Sequence, residues 1–363
     1  MIPLFKVHVP NNIGQVIQNV FDSGVITEGE FSDRFESEFS DLVQNKNSAL
    51  LNSGTSALTL AFRMAGVGPD TEVITTPMTC MATNEPAHTM GAKLIFADID
   101  PETGNIDPES VKKLLSKKTR AVVGVHWAGQ PYDIERLNTV VKNYDEKIKT
   151  VEDAAHALGA SYDGKPIGSH SDYVCFSFQA IKHLTTVDGG AICSMTKEDD
   201  LRIKKLRWFG LDRKYQGSKW EQDITESGYK FHMNNVNAAI GLEQMKHIQN
   251  IIDRHKINGI LYDKNIINPK IQKLRRDTRS ISSTWIYTLL VDNRDKFKEH
   301  LQKNGIASDV VHVRNDKYTV FNEFRRDNLP GADYFCSRMI NVPVGWWLSD
   351  ADLEKVINVI NEY

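Results

Sequence analysis

Only four cysteines occur in the 363 residues, Cys80, Cys175, Cys193 and Cys336, and no two of them form a C-x-x-C. That spacing argues against a zinc ribbon and against a small disulfide-stapled framework, so no metal centre is expected. Long apolar runs are missing as well, with nothing approaching the ~20 residues that cross a bilayer. The opening stretch MIPLFKVHVPNN lacks a basic segment followed by an apolar one, and a cytoplasmic location is the expectation. Charge of one sign is scarce: 44 Lys and Arg against 47 Asp and Glu leave a net charge of −3. Such a balance gives no footprint for nucleic acid or for an anionic membrane. The basic stretches Lys112 to Arg120, Arg202 to Arg207 and Lys273 to Arg279 read instead as solvated helix faces. Two nucleotide-binding signatures are absent, the Gly-Lys-Ser/Thr of a Walker A loop and G-x-G-x-x-G, and internal repeats are absent too.

What is present is an ordinary globular composition, 40% hydrophobic and 25% charged. The length predicts two unequal domains, a large one over 1–250 and a small α+β one over 251–363. Short β-branched runs at 67–77, 92–100, 119–129 and 147–155 alternate with helical patterns at 53–66 and 133–144. In the first helix Leu58, Ala61, Phe62 and Ala65 share a face; in the second Ile134, Leu137, Val140 and Val141 do. That alternation predicts an α/β protein with a mainly parallel sheet covered by helices on both faces. Further on, one long helix or two in tandem are expected from 234 to 264, then a strand at 283–291 and helices at 295–305 and 350–363.

Ligands in such sheets sit at the carboxyl ends of the strands. Three clusters lie after apolar runs. In LNSGTSALTLA (51–61), Gly54, Thr55 and Ser56 open a helix whose free N–H groups and hydroxyls suit a phosphate, although an ordinary N-cap gives the same pattern. In TVEDAAHALGA (150–160), Glu152 and Asp153 end a strand, and His156 reads singly as a packing histidine. In FSFQAIKHLTTVDGG (176–190), Lys182 follows a β-favouring run, Tyr173 to Phe178. Together, an anion cradle, a carboxylate and a lysine match a cofactor with a phosphate, a basic ring nitrogen and an aldehyde, as in pyridoxal 5′-phosphate.

The stretches NSGTSAL, EDAAHALGA, FSFQAIKHLTT-DGG and GYKFHMNNVNAAIG, in that order, resemble the DegT/DnrJ/EryC1/StrS aminotransferases, from about residue 10 onward. The resemblance implies a fold-type I pyridoxal-phosphate transferase with a seven-stranded sheet. It also implies a homodimer with shared active sites, glutamate or glutamine as amino donor, and most often a nucleotide-linked keto sugar as acceptor. Lys182 then matches the Schiff-base lysine and Asp153 the partner of the ring nitrogen. Gly54, Thr55, Ser56 and Ser177 match phosphate ligands; Ala155 and His156 fall beside the ring, and Gln179 near its phenolic oxygen. Lys230 matches a residue reaching the other subunit's phosphate, with His232 in the same role. His312 and Arg314 are expected at the acceptor or the donor carboxylate. Alternatives are a small phosphorylated ketone as acceptor, a sugar dehydratase, which in this family carries histidine in place of the lysine, or a non-catalytic ligand-sensing member.

The chain departs from the family pattern at two points. Cys80 stands where many members carry a ring-stacking aromatic, so weaker stacking is expected there. Val187 replaces a glycine; if that glycine holds a positive φ, valine follows it only at a cost, and a different turn is expected.

Overall fold

The computed structural model describes residues 1–218 and 221–363. Thirteen strands are found among them: β1 (Ser48–Leu51), β2 (Glu72–Thr75), β3 (Lys93–Phe96), β4 (Thr119–Val125), β5 (Lys149–Asp153), β6 (Ser161–Tyr162), β7 (Lys165–Pro166), β8 (Tyr173–Ser177), β9 (Gly190–Ser194), β10 (Ile271–Lys273), β11 (Ser280–Ile281), β12 (Tyr287–Val291) and β13 (Met339–Val342). The α-helices are α1 (Ile13–Asp22), α2 (Glu30–Leu42), α3 (Gly54–Met64), α4 (Met81–Thr89), α5 (Pro108–Lys112), α6 (Ile134–Tyr144), α7 (Lys197–Leu206), α8 (Asn235–Met245), α9 (Ile248–Asn265), α10 (Arg294–Lys303), α11 (Pro330–Arg338) and α12 (Asp350–Asn361).

The main sheet has seven strands in the order β1-β9-β8-β5-β4-β2-β3. From β8 to β3 every pairing is parallel, and β9 alone runs against its neighbours on both sides. Both faces are covered, which is why the strands read as continuous apolar runs. Successive residues of β4 show it: Val123 belongs to the core that includes Leu58, Phe62 and Ile192 on one face, while Val122 belongs to the core that includes Phe39, Leu137 and Val141 on the other. The helix starts follow from local chemistry. The Ser53 hydroxyl accepts the Ser56 N–H at 3.0 Å to cap α3, and the Asp133 carboxylate accepts the Arg136 N–H at 3.2 Å to cap α6.

The run from 234 to 264 forms two helices in tandem, α8 and α9, capped at the start by Asn234. A second sheet, β10-β12-β13, has its own core, in which Tyr287 and Leu289 meet Phe297 and Leu301 of α10 and Val356 and Ile360 of α12. Ile2 joins that core, so the first residues lie against the last third of the chain. Just before β12, Trp285 and Ile286 pack instead onto the core of the main sheet. They carry side chains of this region to the carboxyl ends of β5 and β8.

Candidate active site

A cavity of about 240 Å³ opens where β5 and β8 end and α3 begins. Side-chain alternation along β5 decides which carboxylate faces it. Asp153 lines the cavity; Glu152 points the other way and meets His126 at 2.8 Å, both fully buried. The Asp153 carboxylate is 5% exposed, with Oδ2 accepting the Thr83 hydroxyl at 2.6 Å and Oδ1 accepting the Ala155 N–H at 3.1 Å.

Gly54 brings α3 against the end of β8. A Cβ on it would lie 2.9 Å from the Ser177 Cβ, so a larger residue would push the helix start off the strand. Ser53 uses its hydroxyl on the Ser56 N–H, and the N–H groups of Gly54 and Thr55, which a helix of this kind cannot satisfy internally, border the cavity. Ser177 completes that wall. Ser56 does not belong to it: its hydroxyl donates to Asn52 Oδ1 at 2.6 Å, and the residue is buried in the cap.

Lys182 rises from the turn after β8, where its N–H donates to the Gln179 carbonyl at 2.9 Å. Its Nζ lies 4.0 Å from the centre of the Trp285 ring. Desolvation pulls the amine from the ordinary lysine range down to about 8, with the charges of Asp153 and Cys80 opposing. Trp285 stacks on His156 with ring centres 3.8 Å apart, and His156 lies parallel to His312 at 5.4 Å. Burial, then the neighbouring Lys182 charge, keeps both histidines neutral; His312 is pushed down to about 3 and His156 well below its usual range. Among the described residues the His156 Nδ1 and the His312 Nε2 have no hydrogen-bond partner.

The cavity thus gathers Gly54, Thr55, Cys80, Asp153, Ala155, His156, Ser177, Gln179, Lys182 and His312. Lys230 and His232 stand outside it. The Lys230 Nζ lies 3.3 Å from the centre of the Trp208 ring, and the same indole meets His232 at 3.9 Å, in a segment bridged to Leu51 of β1. Arg314 is a correction. Its guanidinium is buried, bonded by two N–H groups to Asp316 at 2.9 and 2.6 Å and by a third to Asp333, which leaves it an internal ion pair away from the cavity. The turn at Val187 is another: it keeps the left-handed conformation, with φ at 70° on a valine. His183, beside the lysine, is buried edge-on against His255 at 4.5 Å.

Three contributors lay outside the sequence reading. Trp285 lies just before β12, inside the 283–291 run whose sequence predicts a strand, and nothing in that run sets it apart from a core tryptophan. Thr83 is one threonine of a helix turn. Asn315 donates to the Thr79 carbonyl and accepts from the Asn84 amide, each at 2.8 Å, pinning the segment that carries His312 to the turn before α4.

A lysine amine, a carboxylate and a pair of helix N–H groups in one desolvated cavity form the donor set that pyridoxal 5′-phosphate requires. The model of the DegT/DnrJ/EryC1/StrS aminotransferase family matches residues 9–361. This chain belongs to that family. The aminotransferase is similar over 100% of both chains to the sugar aminotransferase CalS13 from Micromonospora echinospora, at 34% identity and a TM-score of 0.96. AtS13 from Actinomadura melliaura is 36% identical with the same TM-score, over 100% of this chain and 99% of that one. Spr1654 from Streptococcus pneumoniae, solved in a PLP-form, is 28% identical over 99% and 98% of the two chains, with a TM-score of 0.91. The protein is a pyridoxal-phosphate-dependent aminotransferase of fold-type I.

Proposed function

We propose that this aminotransferase moves an amino group from glutamate or glutamine to the keto carbon of a sugar carried on a nucleotide. The likeness to CalS13 along the whole chain supports a sugar as acceptor. The observation that carries the reading is the single cavity holding the Lys182 amine, the Asp153 carboxylate and the N–H pair of Gly54 and Thr55. When bound, pyridoxal 5′-phosphate supplies an aldehyde carbon that condenses with amines and a ring that draws electrons from the attached carbon.

The residues of the chain do the remaining work. Gly54, Thr55 and the Ser177 hydroxyl hold the phosphate at the positive end of α3. Asp153 would accept the hydrogen bond of the ring nitrogen, and Ala155, His156 and Gln179, which line the same cavity, would hold the ring and its phenolic oxygen. Lys182 would take the proton from the Cα of the amino donor onto its Nζ, and would return a proton to the corresponding carbon when the keto acceptor is aminated. An amine titrating at about 8 keeps part of its population unprotonated near neutrality, which suits a base. The neutral His312, with its free Nε2, offers a hydrogen bond to a substrate hydroxyl. Dehydration is disfavoured because the lysine is present and the adjacent His183 is packed away against His255.

A homodimer completes the site on this reading, with Lys230 and His232 reaching the partner's phosphate. The exposed apolar side chains Val25, Ile26, Phe209 and Ile224 support burial against a second copy. A panel of keto acceptors tests the substrate class, scored by mass spectrometry for amino product. Nucleotide-linked keto sugars are expected to be aminated; amination of a small phosphorylated ketone alone would overturn the assignment.

A further inference from the structure

Asp153 is held from behind as well as facing the cavity. Its two oxygens each accept one protein donor, the Thr83 hydroxyl at 2.6 Å and the Ala155 N–H at 3.1 Å. A hydroxyl has a single proton. Since the proton of Thr83 goes to the carboxylate, the 2.6 Å contact between the Thr79 and Thr83 hydroxyls runs one way, with Thr79 donating. The result is a directed chain from Thr79 through Thr83 to Asp153, and all three residues are buried.

Both threonines are fixed by backbone bonds. The Thr83 N–H donates to the Cys80 carbonyl at 3.1 Å in the first turn of α4, and the Thr79 carbonyl accepts from the Asn315 amide. Asp153 is the last residue of its strand, where a carboxylate held on one oxygen only is free to turn about its Cβ–Cγ bond. A donor on each oxygen selects one rotation. Each oxygen keeps a lone pair for a further donor.

We propose that Thr83 is a positioning residue for transamination, fixing the Asp153 carboxylate toward the ring nitrogen of the cofactor, with Thr79 orienting Thr83 in turn. The proposal rests on the reading of Asp153 as partner of that nitrogen. The side chain of Thr83 borders helix, strand and carboxylate at once, so a structural role has to be separated from a positioning one.

Full-length protein stripped of cofactor is titrated with pyridoxal 5′-phosphate and with its 1-deaza analogue, in which a CH replaces the ring nitrogen. Wild type, Thr83→Val and Thr83→Ser are compared by calorimetry. Wild type is expected to prefer the natural cofactor. Thr83→Val, of equal shape, is expected to lose about tenfold in affinity for the natural cofactor and little for the analogue, and Thr83→Ser to restore the difference. Equal losses for both ligands in Thr83→Val, or an undiminished preference, overturn the role of Thr83 while leaving Asp153 in place. A wild type that binds both ligands alike overturns the reading of Asp153 and the proposal with it. Should Thr83→Val not fold, Thr79→Val, one step further along the chain, is expected to show the same selective loss in smaller measure, and an unchanged preference there overturns the directed chain.

Discussion

At the scale of single residues, the environment decides what each side chain can do. Lys182 is one of many lysines by composition, and its chemistry comes from the cavity that desolvates it. Burial disfavours the charged amine more than the Asp153 and Cys80 charges favour it, so the free base appears from about pH 8 rather than above pH 10. Condensation with an aldehyde uses the free base. In cofactor-free protein the rate of pyridoxal-phosphate uptake, followed by stopped-flow absorbance, is therefore expected to rise about tenfold per pH unit below 8 and to level off above it. A plateau beginning only near pH 10 would mean that the amine is not desolvated. The neutrality of His156 and His312 has the same origin, and neither histidine is expected to contribute a pH transition between 5 and 8.

At the scale of elements, the apolar runs at 72–75, 93–96, 119–125 and 149–153 announced parallel strands because burial on both faces writes itself as continuous β-branched sequence. Capping residues Ser53 and Asp133 made the starts of α3 and α6 readable to within a residue. That Lys182, Asp153 and Gly54 would border one cavity was legible because the ends of such strands are where ligands meet the chain. Trp285 and Asn315 were not, since their roles come from partners a hundred or more residues away. Arg314 differs for another reason: Asp316 stands only two residues on, but the sequence does not show that it and Asp333 turn back to fill the guanidinium instead of leaving it to a ligand. The turn between β8 and β9 shows local chemistry overruled. Val187 is held at φ 70° and is 59% exposed, while its N–H donates to the Thr185 hydroxyl; three residues on, a Cβ at Gly190 would fall 2.5 Å from the Ser53 backbone. A β-branched residue in that region is strained by about 1–3 kcal/mol, and the exposed side chain returns little by burial. Val187→Gly is therefore expected to raise stability by about 1 kcal/mol after the entropy cost of glycine, seen as a higher midpoint in thermal denaturation. A lower midpoint would show that the valine side chain has a partner that outweighs the strain.

At the scale of the whole molecule, the proposed assembly makes each active site a joint product of two chains. Lys182, Asp153 and the cradle come from one protomer. Lys230 stands outside that cavity, on the Trp208 platform, in a position to serve the other. Two inactive variants then complement each other. Lys182→Ala lacks the amine and Lys230→Ala lacks the partner contact, yet a mixed dimer contains one site with both lysines and one with neither. Random reassortment after mild denaturation and refolding makes half the dimers mixed, so about a quarter of wild-type activity is expected from an equimolar mixture of two nearly inactive parents. The increase should depend on refolding together, because exchange of subunits is what creates the intact site. If each variant keeps its own residual rate after co-refolding, Lys230 acts within its own chain, and the site is complete in a single protomer.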